Sequence, residues 1–314
     1  MQPAVPVPAA AISSAYLYVL LSEGGVSVYR VGSSKPVRGI LIPGSASAIA
    51  CDATGNLYVA NSDFNSVSVY SPGGAKPLRT ILGSMSAPGA LAFDASGILY
   101  VANRGSNSVT VFPPGGSTPS RILRRDVRRP VQVALDLHGN AYVLDQGGSG
   151  RMTVYAAEST TLARTISTGV NHPYALALDG LKALYVANHS SVTAYDSQSP
   201  SPKRTITIGI AAPEAIAVDR AGDLFVANAT KGSTAKGWLG VYAPHGVAPK
   251  RTIQTGGDLP LAFAFDSAGN LYVANVSNTN YGSVTVYAPG GSKPIRRITN
   301  GVDGPLALAI CPAG

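Results

Sequence analysis

The chain repeats one short pattern from end to end. Tyr16-Leu-Tyr-Val19 returns as Leu57-Tyr-Val59, Leu99-Tyr-Val101, Ala141-Tyr-Val143, Leu184-Tyr-Val186, Leu224-Phe-Val226 and Leu271-Tyr-Val273. The central aromatics, at 18, 58, 100, 142, 185, 225 and 272, are separated by 40, 42, 42, 43, 40 and 47 residues. A period of ~40–45 residues carrying four short strands is that of a propeller blade. Each copy supplies a third strand (26–29, 67–70, 109–112, 152–155, 192–195, 239–242 and 284–287). A fourth follows around Arg38, Arg79, Arg121, Arg164, Arg204, Arg251 and Arg296.

The first strand of the repeat fixes how the ring closes. It occurs at 48–52, 90–94, 131–136, 175–179, 215–219, 262–266 and last at 306–311, and none precedes Tyr16. The last copy therefore lacks a blade of its own, and the first blade lacks its innermost strand. Placing one in the other predicts an all-β, seven-bladed β-propeller with four antiparallel strands per blade and no long unpaired edge. The expected organisation is an extended or disordered lead-in over 1–11, followed by a single propeller domain over 12–314.

Composition agrees where it bears on the argument. Only 13% of residues are charged, and 35 Gly and 23 Pro punctuate the chain, as many short strands and tight turns require. No run of 18 apolar residues exists, so no membrane span is expected. A blade is covered on both faces, which predicts that the Leu-Tyr-Val tyrosines pack between blades rather than serve as stacking platforms. Cys51 and Cys311 both fall at the ends of inner strands in adjacent blades. The preferred reading is two small buried thiols, with a disulfide across the ring closure as the alternative.

The turns sort into two faces. Asp52, Asp94, Asp136, Asp219 and Asp266 each stand three residues before a Gly, as a side-chain-capped turn demands, and they are read as local caps rather than a metal ring. The loops joining second to third strands and those joining each outer strand to the next inner strand are the variable ones. They share the opposite face, the candidate for recognition.

Leu99-Tyr-Val-Ala-Asn103 with Asn107-Ser-Val-Thr-Val111 resembles the YVTN propeller repeat, and the run from Asp266 to Ala274 is similar to the NHL repeat. The resemblance implies a seven-bladed ring in a secreted or periplasmic protein, its leader absent from this chain, and a binding or surface module. Virginiamycin B lyase and the lactonases are distantly similar enzymes. This chain has Val-Ala-Asn, at Asn61, Asn103, Asn188, Asn228 and Asn275, where the lyase has Trp-Phe-Thr-Glu.

Two groupings carry candidate chemistry. His172, Tyr174, His189 and Glu214 approach one rim of the central channel; His172, His189 and Glu214 are the set through which a divalent metal or a His–Glu acid–base pair would act. The preferred reading is that they are unrelated polar loop residues, with no cofactor and no metal. The second grouping is Arg124, Arg125, Arg128 and Arg129, opposed only by Asp126, in a protein of net charge +8. The remaining positive charge, an Arg in every outer strand, is read as dispersed around the rim for solubility. The preferred reading of the four clustered arginines is a solvated loop, with an anion-attracting patch as the alternative. Trp238, the only Trp, is read either as a second contact or as packed back onto its blade. No aromatics interleave with the arginines, which argues against nucleic acid. The expectation is a monomeric, non-catalytic scaffold that recognises a protein or acidic polysaccharide through its variable face. The alternative is a metal-assisted or His/Glu-dependent lyase or hydrolase, lactonase-like, at the channel mouth; a purely structural surface-layer module is a third reading.

Overall fold

The computed structural model describes residues 15–179, 183–196, 198–230, 236–256, 258–277 and 281–313. The lead-in expected over 1–11 lies outside them. Seven sheets of four antiparallel strands form the ring. In the first sheet the order is Pro305–Pro312, Ala15–Leu21, Gly25–Arg30, Pro36–Leu41, so the tail strand sits innermost beside the head of the chain. Tyr16 pairs with Cys311, Tyr18 with Ala309 and Leu20 with Ala307. Closure is thus by a strand from each end, as the orphan segments require.

Adjacent inner strands end at matching heights, which brings the two cysteines together. Cys51 closes the inner strand of the second blade and Cys311 that of the first; their Cα atoms are 5.7 Å apart and they form a disulfide. The preferred reading of two free thiols is therefore corrected. The spacing is well within what a disulfide spans, and the bond locks the seam at which the ring closes.

Burial explains the repeated triplet. Tyr100, Val109, Val111 and Leu123 of the third blade pack with Val133, Val143 and Tyr155 of the fourth. Tyr142, Leu144, Met152 and Val154, on the other side of the fourth blade, pack with Leu176, Leu184, Val186 and Tyr195 of the fifth. The motif aromatics are buried, as expected. Fully burying one large apolar side chain is worth about 1.5–3 kcal/mol, so these seams between blades hold the ring.

The Asp turns behave as their spacing predicts. Asp136 Oδ1 accepts from the backbone N–H of His138 and of Asn140, both at 2.9 Å, and Gly139 takes φ +79°. Asp52, Asp94, Asp219 and Asp266 repeat the arrangement.

The outer-strand arginines differ from the expectation of dispersed rim charge. Arg79, Arg121, Arg164 and Arg204 turn inward and donate to the hydroxyls of Tyr58, Tyr100, Tyr142 and Tyr185 at 3.3, 2.9, 3.5 and 3.4 Å. The alkyl stem buries while the guanidinium finds an aromatic partner. The charge of these four belongs to the blade seams, while Arg38 of the first blade is exposed.

Candidate functional site

The two variable loop sets meet on one face. Ser45 N donates to Asp63 Oδ2 at 2.9 Å, Ala87 N to Asn65 Oδ1 at 2.7 Å, and Arg129 N to Asn107 Oδ1 at 2.7 Å. Each bond joins an outer-to-inner connection to a second-to-third-strand loop.

The arginine turn, 124–129, connects the outer strand Arg121–Leu123 of the third blade to the inner strand Pro130–Leu135 of the fourth. Its backbone is tied down throughout. Val127 is buried at the seam between the two blades. Gly147 N donates to Arg128 O at 3.0 Å and Gln146 N to Arg129 O at 3.2 Å. The Tyr155 hydroxyl donates to Arg125 O. Asp126 and Arg129 adopt φ +61° and +52°, the left-handed conformation that a side-chain-bearing residue holds only under such constraint.

This rigid backbone turns Arg124, Arg125, Arg128 and Arg129 outward, and all four are exposed. None of the four guanidinium groups has an ion-pair partner among the described residues. The acid within the turn, Asp126, faces Arg151 at 3.8 Å instead. Arg104, exposed on the adjoining 104–107 loop, adds a fifth cation that no charge run in the sequence signals, because it stands alone. Across the face, a cleft of about 320 Å³ is lined by Asp258, Ser277, Tyr281, Arg297 and Asp303. There the Arg297 charge is spent on Asp258 at 2.6 Å.

The channel-rim residues sit on the loops and inner strands of the fifth and sixth blades. His172 is exposed at φ +46°, with Nδ1 2.7 Å from Asn171 Oδ1. His189 faces Tyr174, their rings stacked with centroids 6.5 Å apart. Glu214 is half-buried on the inner strand Pro213–Val218, at the position Tyr174 holds one blade earlier. Among the described residues no three or more His, Cys, Asp or Glu side chains are placed to hold a metal ion. Glu214 is the only acidic or basic side chain within the seven inner strands as described.

Trp238 lies within the strand Gly237–Tyr242, half-buried, paired with Asn228 on one side and Gln254 on the other. Ala229 ends the preceding strand, Leu224–Ala229, and 231–235 lie outside the described residues.

One residue that sequence reading missed sits directly beneath the arginine turn. Asp145 ends the second strand of the fourth blade and is completely buried. Its carboxyl oxygens have no hydrogen-bond partner of good geometry. Burial pushes its pKa up to about 8. The signal was available: Asp145 stands where Asn61, Asn103, Asn188, Asn228 and Asn275 stand in five other blades.

No family model matches the chain, and no curated protein matches it. Solved structures do. Hydrazine synthase of Kuenenia stuttgartiensis is 18% identical over 86% of this chain and 90% of that one, with a TM-score of 0.73. A functionally unknown protein of Desulfotomaculum acetoxidans DSM 771 is 12% identical over 94% and 98%, with a TM-score of 0.77. At these identities the likeness concerns the fold alone.

Proposed function

We propose that the protein is a non-catalytic propeller scaffold that binds an acidic polysaccharide through its variable face, with Arg124, Arg125, Arg128 and Arg129 as the principal contacts. The observation that carries this reading is the pinned turn itself, four outward guanidinium groups without internal partners. Arginine's planar fork matches a carboxylate with two parallel hydrogen bonds. A backbone already held in place avoids much of the ordering cost of binding. Uronate carboxylates, repeated along a polymer, suit such a spread of forks. A protein partner fits less well, because protein hot spots centre on buried aromatic or apolar anchors and the turn offers only Val127, which faces the core.

The remaining features extend the same reading. The Cys51–Cys311 bond supports a secreted or periplasmic setting, where disulfides persist. The Leu-Tyr-Val-Ala-Asn strands support a place among the YVTN/NHL-type repeats, and the protein acts as a monomer without a cofactor. Arg104 extends the surface, and Trp238, in the sixth blade, is a separate contact.

Binding to polygalacturonate, with neutral dextran as control, tests the proposal. Affinity should be measurable at low ionic strength and fall steeply with added salt. Each Arg→Ala change in the turn should weaken binding about 2- to 5-fold, the range for exposed charge pairs. Binding that is insensitive to salt, or unchanged in the quadruple Arg→Ala variant, would overturn it. Tighter binding of polyglutamate would assign the face to an acidic protein instead.

A further inference from the structure

The asparagine at the end of the second strand does two opposite things at once. Its amide oxygen accepts the backbone N–H two residues before the next inner strand's proline: Asn103 from Ser86 at 3.4 Å, Asn188 from Asn171 at 2.8 Å, Asn228 from Ala211 at 2.9 Å. Its amide nitrogen donates back into the blade. Asn103, Asn188 and Asn228 donate to Val101 O, Val186 O and Val226 O at 3.1, 3.4 and 3.2 Å. Asn103, Asn188 and Asn275 also donate to Thr110, Thr193 and Thr285 Oγ1 at 2.9, 3.0 and 2.9 Å. In the third, fifth and sixth blades one side chain thus staples the incoming outer-to-inner connection to its own blade. Asn61 instead accepts from Phe64 N and donates to Pro43 O, and Asn275 Oδ1 has no hydrogen-bond partner among the described residues.

In the fourth blade the staple is Asp145, and the connection it serves is the arginine turn. Arg128 N–H takes the place of Ser86, Asn171 and Ala211 and favours the charged form of the carboxyl. Thr153 stands opposite Val143 as Thr110 stands opposite Val101. Apart from the Arg128 N–H that approaches the carboxyl, neither Thr153 Oγ1 nor the Asp145 oxygens meet a hydrogen-bond partner of good geometry among the described residues, and both side chains are fully buried. An ionised carboxylate can accept from Arg128 and from the Thr153 hydroxyl but has no proton to give the Val143 carbonyl, the bond that the amide nitrogens of the sister asparagines make. The neutral acid can do both.

We propose that Asp145 is held as the neutral acid in place of the asparagine of its sister blades, and that its ionisation loosens the 124–129 turn and so switches the arginine site off as pH rises. The regulatory half of this inference rests on the reading of that turn as the binding surface; the protonation half does not.

The charged groups that face Asp145 are few. Arg151 pairs with it across the strand ladder, Arg128 and Asp126 approach from the turn, and Tyr155, its own pKa raised, lies farther along the same strand as Arg151. Desolvation outweighs the pull of Arg128 and Arg151, with Asp126 adding to it. Because the folded-state value lies above the ordinary 3.8, folding takes up a proton between the two. Stability contributed at this site is therefore greatest in acid, falls as pH rises from about 4 to about 8, and levels off above that.

Asp145→Asn, made in the full chain, is the test, because asparagine is the residue five other blades already accommodate. Its thermal midpoint should exceed that of the native protein by a margin that widens up to about pH 8. Trypsin cleavage within 124–129 should be several-fold faster in the native protein than in the variant at about pH 9, and equal at about pH 6. Polygalacturonate affinity should fall several-fold between those pH values in the native protein and hold steady in the variant. Parallel stability curves and equal cleavage of the two proteins at both pH values would overturn the assignment of a neutral Asp145. If polygalacturonate bound neither protein at either pH, the binding surface and its switching would be refuted, while the stability and cleavage results would still decide the state of Asp145.

Discussion

Arg121 Nη2 donates to the Tyr100 hydroxyl at 2.9 Å while its guanidinium carbon stands 5.8 Å from the centre of the same ring. The relationship recurs at Arg164–Tyr142 and Arg204–Tyr185. In the fourth blade it continues, because the Tyr142 hydroxyl lies 3.2 Å from Asp136 Oδ2. Outer strand, second strand and Asp turn are thereby tied together. A double-mutant cycle of Arg121→Ala and Tyr100→Phe should give a coupling of about 1 kcal/mol in unfolding free energy. A charge that served only solubility would show almost none.

The disulfide predicts a large effect from a small change. Cys51 and Cys311 are 260 residues apart in sequence, and cross-links that close long loops remove the most freedom from the unfolded chain. The Cys51→Ser/Cys311→Ser double variant should lose about 3–5 kcal/mol of stability, at the upper end of the usual range. Mass measurement before and after reduction should show the gain of two hydrogens. Two alkylatable thiols in the native, unreduced protein would contradict the bond.

Asp52 predicts a pH response opposite in sign to that of Asp145. Burial alone would raise its pKa, but hydrogen bonds from Asn56 and Thr54 outweigh burial and hold it below the ordinary 3.8. Its contribution to stability is thus fully present above that value and lost as pH falls through the folded-state pKa. Asp52→Asn should flatten the acid limb of the stability curve and leave the limb above neutrality unchanged. An unaltered acid limb would show that the turn is held by other contacts.

How much of this was legible from sequence depended on whether a residue's role was local or set by a neighbouring blade. The Asp136-to-Gly139 turn is closed by atoms within four residues, so its spacing alone predicts its structure. The inner strand at 306–311 had no partner nearby, and that absence was itself the signal for ring closure. Arg121 read as a surface charge because the ring it meets, Tyr100, is 21 residues away on another strand. The cysteine pair turned on whether two inner strands finish level, which a repeat count does not fix to the needed fraction of an ångström. The four arginines of the turn were conspicuous as a run, whereas Arg104 stands alone in sequence and Asp145 was marked only by replacing the asparagine of five other blades. Asp145 differs from its sister residues by one atom type, an oxygen for a nitrogen, and its burial supplies the consequence.

Hydrogen exchange with and without polygalacturonate reads the proposed binding surface most directly. The account predicts new protection concentrated in 124–129 and the adjoining 104–107 loop, abolished by the quadruple Arg→Ala variant and by high salt. Protection confined to the cleft around Tyr281 and Asp303, or spread without preference over both faces of the ring, would contradict it.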